Sequence, residues 1–291
     1  MDIRNKKKNL KTAYRILLAT AAGIFAISIC FLLSYFLESK EEEDAYAEAR
    51  GSAVIPAENG QVDPETVNTA KPEETSAKLK YGLDIQDGVY YYDPDFTDAY
   101  ITEGNKDIKK LQEKYPDIAA WLYIPGTNIS YPVMGAEDDE YLIKNYKGEQ
   151  AKSGSLFAYN DELNDPENRN ITIYGHNMKN GSMFGSLKAF LLVVGLFEGA
   201  DKVYLQTTEG VSVYRIFSIY VSPADGSQSD GYFSGGEAYL KYLQDCAEKS
   251  VRTHKTQPEF STDSTVLTLS TCTSLMGAGE NDRLIVQAVM Q

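Results

Sequence analysis

Two of the three cysteines in this 291-residue chain lie far from its N-terminus, and their surroundings predict different roles. Cys272 ends a predicted strand in the run Thr268–Cys272, and strand ends are positions at which a rigid scaffold presents reactive groups. Cys246 falls on the apolar stripe of a predicted helix, where a free cysteine behaves as a small hydrophobic residue. Because a thiol attacks only as the thiolate, it needs a nearby base or positive charge. We therefore take Cys272 as the candidate nucleophile and expect Cys246 to be buried.

The chain contains two histidines that could supply the base. His176 follows the predicted strand Ile171–Tyr174 almost directly, so it also lies at a strand end. His254 lies in a polar stretch after a predicted helix, and we expect it to be a solvated surface residue. Spacing alone leaves both a structural and a catalytic role open for His176. In the catalytic case it would transfer a proton to or from the reacting groups.

Acyl transfer also requires a group that stabilises the oxyanion of the tetrahedral intermediate. Arg283 opens the last predicted strand, and the residues between it and Cys272 are loop-like. A strand, a loop and a returning strand would bring Arg283 back beside Cys272. The alternative is an ordinary strand-end arginine that pairs with Asp282 or Glu280.

Short predicted strands and turn residues dominate the chain from about Tyr81 to Gln291. Regular strands with few helices favour a mainly β fold, a closed or nearly closed antiparallel barrel. The apolar run Ala189–Phe197 is too short to cross a membrane and should pack against the barrel. The predicted strands are Trp121–Ile124, Ile129–Met134, Ser155–Tyr159, Asn170–Tyr174, Lys202–Thr207, Val211–Val221, Thr265–Ser270 and Arg283–Met290; the predicted helices are Asn105–Tyr115, one beginning near Ser182, and Gly236–Val251.

The N-terminal region has the charge and hydropathy pattern of a membrane anchor. Positive charge is concentrated in residues 1–12, and residues 13–37 are long and apolar enough to cross a bilayer as one helix. Since lysine and arginine stay on the cytoplasmic side, we predict a single-pass anchor with a cytoplasmic N-terminus. A cleaved signal peptide ending near Ala45–Ala47 is the alternative, although its apolar stretch would be unusually long.

Residues 38–80 have few large apolar side chains and are predicted to form a solvated extracellular stalk. A short charged helix over Glu41–Arg50 would be compatible with the same role. Residues 81–291 would then be an extracellular catalytic domain. The formal net charge of −14 argues against nucleic-acid binding. Neither the histidines nor the acidic runs have the spacing of metal ligands, so we expect no metal and no cofactor.

The motifs taken together resemble those of the sortases. The run Thr268–Cys272, with an arginine opening the next strand, resembles the sortase signature. The segment Tyr174–Phe184 looks like the histidine segment of the class B branch of that family. The likeness extends over roughly Trp121 to Gln291.

This resemblance implies a closed barrel of about eight antiparallel or mixed strands with added helices, preceded by one transmembrane helix. Sortases of Gram-positive bacteria cleave the sorting signal of surface proteins at a threonine-containing pentapeptide and join the new carboxyl end to a peptidoglycan amine. By match, Cys272 would form the thioacyl intermediate, His176 would protonate the leaving amine, and Arg283 would hold the oxyanion or the substrate backbone. Ser270 and Asn128 match positions that line the substrate groove.

Two other functions remain open at the level of sequence. One is a membrane-tethered thiol peptidase that uses the same residues and transfers the acyl group to water. The other is a non-catalytic binding module of the cell envelope in which Cys272 is merely buried. The acceptor leaves no motif that separates transfer from hydrolysis. The predicted loop Ser222–Gly235, which would select the sorting signal, also gives no readable specificity.

Overall fold

The structure is a computed structural model of the whole chain. It describes residues 20, 21, 24, 25, 27–29, 33, 34, 37, 40–50, the backbone of 83–86 and 89–92, and residues 107–165, 167–193, 195–223, 233, 235–273 and 281–291. The chain forms two compact units, Met1–Glu48 and Ala49–Gln291.

The described N-terminal residues are helical, and residues 40–50 form the continuous helix that was the alternative predicted for Glu41–Arg50. Within the described part of the chain, no helix has both the length and the apolar character that a membrane crossing requires. Most of the predicted anchor 13–37 and the predicted stalk from residue 51 onward lie outside the described residues.

The second unit contains a two-stranded hairpin followed by a closed barrel of eight strands. The strands are β1 (Leu83–Gln86), β2 (Val89–Tyr92), β3 (Ile118–Tyr123), β4 (Ser130–Ala136), β5 (Leu156–Tyr159), β6 (Asn170–Tyr174), β7 (Lys202–Gln206), β8 (Val211–Ser222), β9 (Val266–Cys272) and β10 (Arg283–Met290). β1 pairs with β2, and the barrel has the order β10-β8-β7-β3-β4-β5-β6-β9, with β9 and β10 pairing to close it. The eight predicted strands are therefore the eight strands of the barrel.

Two strand pairs of the barrel are parallel, so the expectation of an antiparallel barrel from strand spacing is wrong in this respect. β4 pairs in parallel with β5, and β6 pairs in parallel with β9. Parallel neighbouring strands need long crossover connections. The alternation of apolar and polar residues along a strand does not indicate whether its partner runs parallel or antiparallel. The mixed barrel agrees with the form that the family resemblance implied.

Short helices connect the strands. They are Ile108–Lys114, Asn160–Asn164, Ala189–Leu192, Leu196–Gly199 and Gly236–Lys249, with 3-10 turns at Asp139–Leu142 and Phe184–Ser186. The helix predicted to begin near Ser182 is wrong, because this part of the chain forms a 3-10 turn and then two single-turn helices. The first of these ends where Val193 adopts an extended backbone. The apolar run nevertheless packs inward as predicted, with Phe190 and Leu196 fully buried.

The Gly236–Lys249 helix packs on the barrel through Tyr239, Leu243 and Cys246. These side chains form one buried cluster with Val266 of β9 and neighbouring residues of β8 and β10. Cys246 is 1% exposed, so its predicted burial is confirmed. Burial also raises the pKa of its thiol, which keeps the sulfur protonated and unreactive.

His254 is buried, and the prediction of a solvated surface position is wrong. Its side chain is stacked on Phe197 with 4.3 Å between ring centroids, and its Nε2 donates a hydrogen bond to the Ile216 carbonyl at 2.7 Å. Burial lowers the pKa of His254 and favours the neutral ring. The polar neighbours of His254 in sequence face solvent, and only the fold reveals that the imidazole fills a gap beside β8.

Candidate active site

Cys272 is the last residue of β9, and its side chain is exposed. Val266 at the other end of β9 packs against the Gly236–Lys249 helix. Alternate residues of a strand share a face, so Thr268, Ser270 and Cys272 lie on the face that carries this helix. The reactive sulfur therefore lies at the open end of a face that is otherwise covered.

Arg283 is the first residue of β10 and lies directly opposite Cys272 in the antiparallel β9–β10 pair. Directly opposed residues have Cα atoms about 4.5–5.5 Å apart and side chains on the same face. The pairing continues one step into the loop, where the Thr273 amide donates to the Asp282 carbonyl at 3.1 Å. The Arg283 Nη1 donates to the backbone carbonyl of Asn281 at 3.0 Å.

His176 is positioned by the parallel pairing of β6 with β9, in which Tyr174 is the partner of Ser270. The ladder continues past the end of β6, because the Gly175 amide donates to the Ser270 carbonyl at 3.2 Å. Two side chains then join the same segments. The Thr271 hydroxyl donates to the Gly175 carbonyl at 2.7 Å, and the Asn177 amide donates to the Cys272 carbonyl at 2.8 Å. His176 lies between these two tethered neighbours and therefore beside the end of β9.

The half-buried imidazole of His176 has a fixed partner on its other side. Its Nε2 is 2.8 Å from the backbone carbonyl oxygen of Leu142, at the end of the Asp139–Leu142 turn. The segment after His176 folds back, and the Phe184 amide donates to the His176 carbonyl at 3.0 Å. Both sides of the histidine are thus held by backbone structure.

The structure brings Cys272, His176 and Arg283 to one end of the barrel, at the ends of β9 and β10 and just beyond the end of the neighbouring strand β6. A thiol, an imidazole and a guanidinium at one place can attack a carbonyl, move a proton and stabilise negative charge. Among the residues that the structure describes, no group of three or more histidine, cysteine or acidic side chains could hold a metal ion.

The two predicted groove residues have different surroundings. Ser270 is 2% exposed, and its hydroxyl has no hydrogen-bond partner among the described residues. Asn128 is half-buried, and its amide donates to the carbonyl of Gly181 in the segment after His176 at 3.3 Å. A groove role for either residue remains a prediction. The expected specificity loop Ser222–Gly235 lies largely outside the described residues.

Three further groups position the candidate residues and were not identified from the sequence. Thr271 and Asn177 lie within the recognised motifs, but their side chains act on backbone carbonyls and only the strand pairing shows this. The third group is the Leu142 carbonyl. A backbone acceptor has no side-chain signature, so no sequence signal could have found it.

Comparisons with known proteins agree with this fold. A family model described as the sortase domain matches residues 122–291, which is more than half of the chain. A protein of Listeria monocytogenes named Sortase B is 32% identical over 214 residues, covering 70% of this chain and 82% of its own length. The X-ray structure of Clostridium perfringens sortase B superposes with a TM-score of 0.57 at 34% identity, covering 63% of this chain and 98% of that structure. A Bacillus anthracis protein similar to sortase B superposes with a TM-score of 0.56 at 35% identity, covering 64% of this chain and 82% of that structure.

A closed mixed barrel that presents an exposed strand-end cysteine, together with these likenesses, defines a sortase-type cysteine transpeptidase. The chain belongs to the sortase family. The relatives and solved structures that it resembles are class B sortases. Because the chain belongs to a family of enzymes, the alternative of a non-catalytic binding module is excluded.

Proposed function

We propose that the chain cleaves the C-terminal sorting signal of surface proteins and transfers each protein to an amine of the cell wall. The Cys272 thiolate attacks the carbonyl carbon at the threonine of the signal and forms a thioester. The expelled amine takes its proton from His176, while Arg283 stabilises the oxyanion or holds the substrate backbone. The acceptor amine of a peptidoglycan precursor or wall peptide then attacks the thioester, gives up a proton, and releases the thiolate.

The observation that carries this proposal is the strand register at the end of β9. Cys272 is opposite Arg283 on one side, and the His176 segment is hydrogen-bonded to it on the other. The second thiol cannot substitute, because Cys246 is buried in the helix–barrel interface. An exposed cysteine between an imidazole and a guanidinium is the arrangement that thioacyl chemistry requires.

We also propose that the enzyme works at the outer face of a Gram-positive cell membrane. Residues 13–37 would anchor it, residues 38–80 would form the stalk, and residues 81–291 would be the catalytic domain. The charge and hydropathy pattern of residues 1–37 supports this arrangement, with the N-terminus in the cytoplasm. Class B relatives support the setting in the cell envelope.

The test uses the full chain in detergent with a panel of threonine-containing sorting pentapeptides, with and without an amine acceptor. Mass spectrometry should find an acyl adduct on Cys272 and, when the amine is present, a ligated product. Cys246→Ala is the matched control and should retain both products. Cys272→Ala should lose both, and a residual covalent adduct in this variant would refute the assignment of the nucleophile.

The same experiment separates transfer from hydrolysis. If every peptide yields only the free acid even at high amine concentration, the enzyme is a thiol peptidase acting on the same signal. Ligation to the amine with the leaving segment released supports transfer. The preferred pentapeptide is read from the same data.

A further inference from the structure

We infer that Gly154, acting through the backbone carbonyl of Leu142, determines which nitrogen of His176 exchanges protons in the reaction. This inference rests on the proposed role of His176 in proton transfer. Gly154 and Leu142 are positioning residues, since neither is placed at the reacting atoms. The inference follows from one hydrogen bond and from the packing directly behind its acceptor.

The hydrogen bond fixes the tautomer of the histidine. His176 Nε2 lies 2.8 Å from the Leu142 carbonyl oxygen, and a carbonyl oxygen can only accept. Nε2 therefore carries the proton in the neutral ring, and Nδ1 carries the lone pair. The partner of one ring nitrogen decides the state of the other. In many cysteine and serine hydrolases a carboxylate or amide side chain fixes the tautomer of the histidine. Here a backbone carbonyl fixes it.

The backbone on either side of Leu142 is clamped by a returning segment. The Ser155 amide donates to the Tyr141 carbonyl at 2.8 Å, and the Ala151 amide donates to the Ile143 carbonyl at 2.9 Å. Both carbonyls that flank Leu142 are therefore engaged with residues 151–155. The Leu142 carbonyl between them is directed to His176 instead.

Gly154 makes this clamp possible. It has a φ of 58°, and a Cβ atom placed on it would lie 2.5 Å from the Tyr141 carbonyl oxygen and 2.6 Å from the Leu142 carbonyl oxygen. Contacts this short do not occur, and both atoms belong to backbone that cannot rotate away. Any side chain at residue 154 must therefore displace the peptide that holds His176.

Gly148 provides a matched control within the same connection between β4 and β5. It has a φ of 81°, and a Cβ atom placed on it would meet nothing within 4 Å. Alanine at either position adopts a left-handed backbone at a similar energetic cost. Only at residue 154 does the new side chain also push on the acceptor of His176.

The experiment compares the full chain with Gly154→Ala and Gly148→Ala, each labelled with ¹⁵N-histidine. The two histidines give separable ring signals, and His254, bound to the Ile216 carbonyl, serves as the internal reference. Nitrogen chemical shifts report which ring nitrogen is protonated. The kcat and KM values are measured with a sorting-signal peptide and an amine.

We expect wild-type His176 to carry its neutral-state proton on Nε2. Gly154→Ala should change the tautomer signals of His176 but not those of His254. Its kcat should fall by about 10- to 100-fold with a smaller change in KM, because a small misplacement of a catalytic group slows the chemical step. Gly148→Ala should keep the wild-type tautomer and kcat.

If the neutral ring of wild-type His176 carries its proton on Nδ1, the inference is overturned. This measurement needs no variant, so it tests the inference even if Gly154→Ala does not fold. Equal loss of kcat in both glycine variants, or an altered tautomer with unchanged kcat, would overturn it as well. Failure of the proposed function is distinguished by His176→Ala. If that variant keeps the wild-type kcat, the proposed catalytic role of His176 is disproved, whichever tautomer the histidine adopts.

Discussion

Backbone carbonyls accept several of the hydrogen bonds seen around the candidate catalytic residues. Leu142 accepts from His176, Asn281 accepts from Arg283, and the carbonyl of Cys272 itself accepts from Asn177. A carbonyl orients a guanidinium or an imidazole without neutralising it, whereas a carboxylate partner would cancel much of its charge. A guanidinium oriented in this way supplies the positive charge that a developing oxyanion requires.

Replacing Arg283 tests this assignment. Arg283→Ala should lower kcat/KM by about 10²- to 10³-fold, because a preorganised donor to the oxyanion is lost. Steady-state kinetics with a sorting-signal peptide measure the change. Arg215→Ala is the control, since Arg215 pairs with Asp201 at 2.6 Å and lies opposite Val289, far along β8 from the site. A comparable loss of rate in both variants would contradict the oxyanion role.

Among individual residues, the positions that could be predicted from the sequence are those with a distinctive residue type at the end of an easily recognised strand. Cys272 and Arg283 could be placed together because a single loop separates their strands. His254 was misplaced, since charged neighbours conceal an imidazole stacked on Phe197. The Leu142 carbonyl was beyond prediction, because every residue has the same backbone acceptor.

Among the secondary-structure elements, the Gly236–Lys249 helix packs on β9 at Val266, the end of the strand opposite Cys272. Leu243→Ala should destabilise the domain by about 2–5 kcal/mol, because it leaves a cavity under fully buried packing. Denaturant unfolding measures the change. Lys241→Ala on the exposed side of the same helix removes only a surface pair with Asp245 and should leave the unfolding free energy almost unchanged. Equal losses of unfolding free energy in the two variants would show that the stability of the domain does not depend on the packing of Leu243.

A side chain, and not a neighbouring strand, accepts the hydrogen bond of one backbone amide of β6. The Glu162 carboxylate accepts a hydrogen bond from the Thr172 amide at 2.9 Å, while burial raises the pKa of Glu162 from 4.5 to about 7. Because the folded state holds the proton more tightly, this group favours folding below pH 4.5. That contribution is lost as the pH rises towards 7.

Glu162→Gln should therefore become more stable relative to wild type as the pH rises. Its gain in unfolding free energy between pH 4 and pH 8 should be about 1–2 kcal/mol, since solvent screens a half-buried carboxylate. Denaturant unfolding at several pH values measures it. Glu167→Gln, at an exposed position of the same connection between β5 and β6, is the matched control. A constant difference between wild type and Glu162→Gln across this range would contradict the argument.

Strands with clear alternation and turn residues were predicted almost to the residue, as Asn170–Tyr174 and Arg283–Met290 show. Elements that depend on tertiary contacts were not. The run Ala189–Phe197 is apolar throughout and reads equally well as helix, strand or packed loop. The parallel pairing of β6 with β9 depends on how the chain crosses between them, which the local sequence does not encode.

For the whole molecule, the N-terminal anchor is the prediction that remains to be tested. Full-length protein should stay with membranes after carbonate extraction, and a chain lacking residues 1–37 should appear in the soluble fraction, because the apolar segment is removed. Immunoblotting of the fractions measures this, and full-length Cys272→Ala should fractionate like wild type. A mature N-terminus just after Ala45–Ala47, found by mass spectrometry, would support a cleaved signal peptide instead.

The parallel pairing of β6 with β9 has a consequence for how the enzyme becomes active. The hydrogen bonds that join the histidine segment to the cysteine strand span 95 and 96 residues of sequence. Contacts between such distant segments form late, since the entropy of closing a long loop must be overcome first. During refolding we expect helices and hairpins to appear before any thioester-forming activity, which would return only when the ends of the barrel meet.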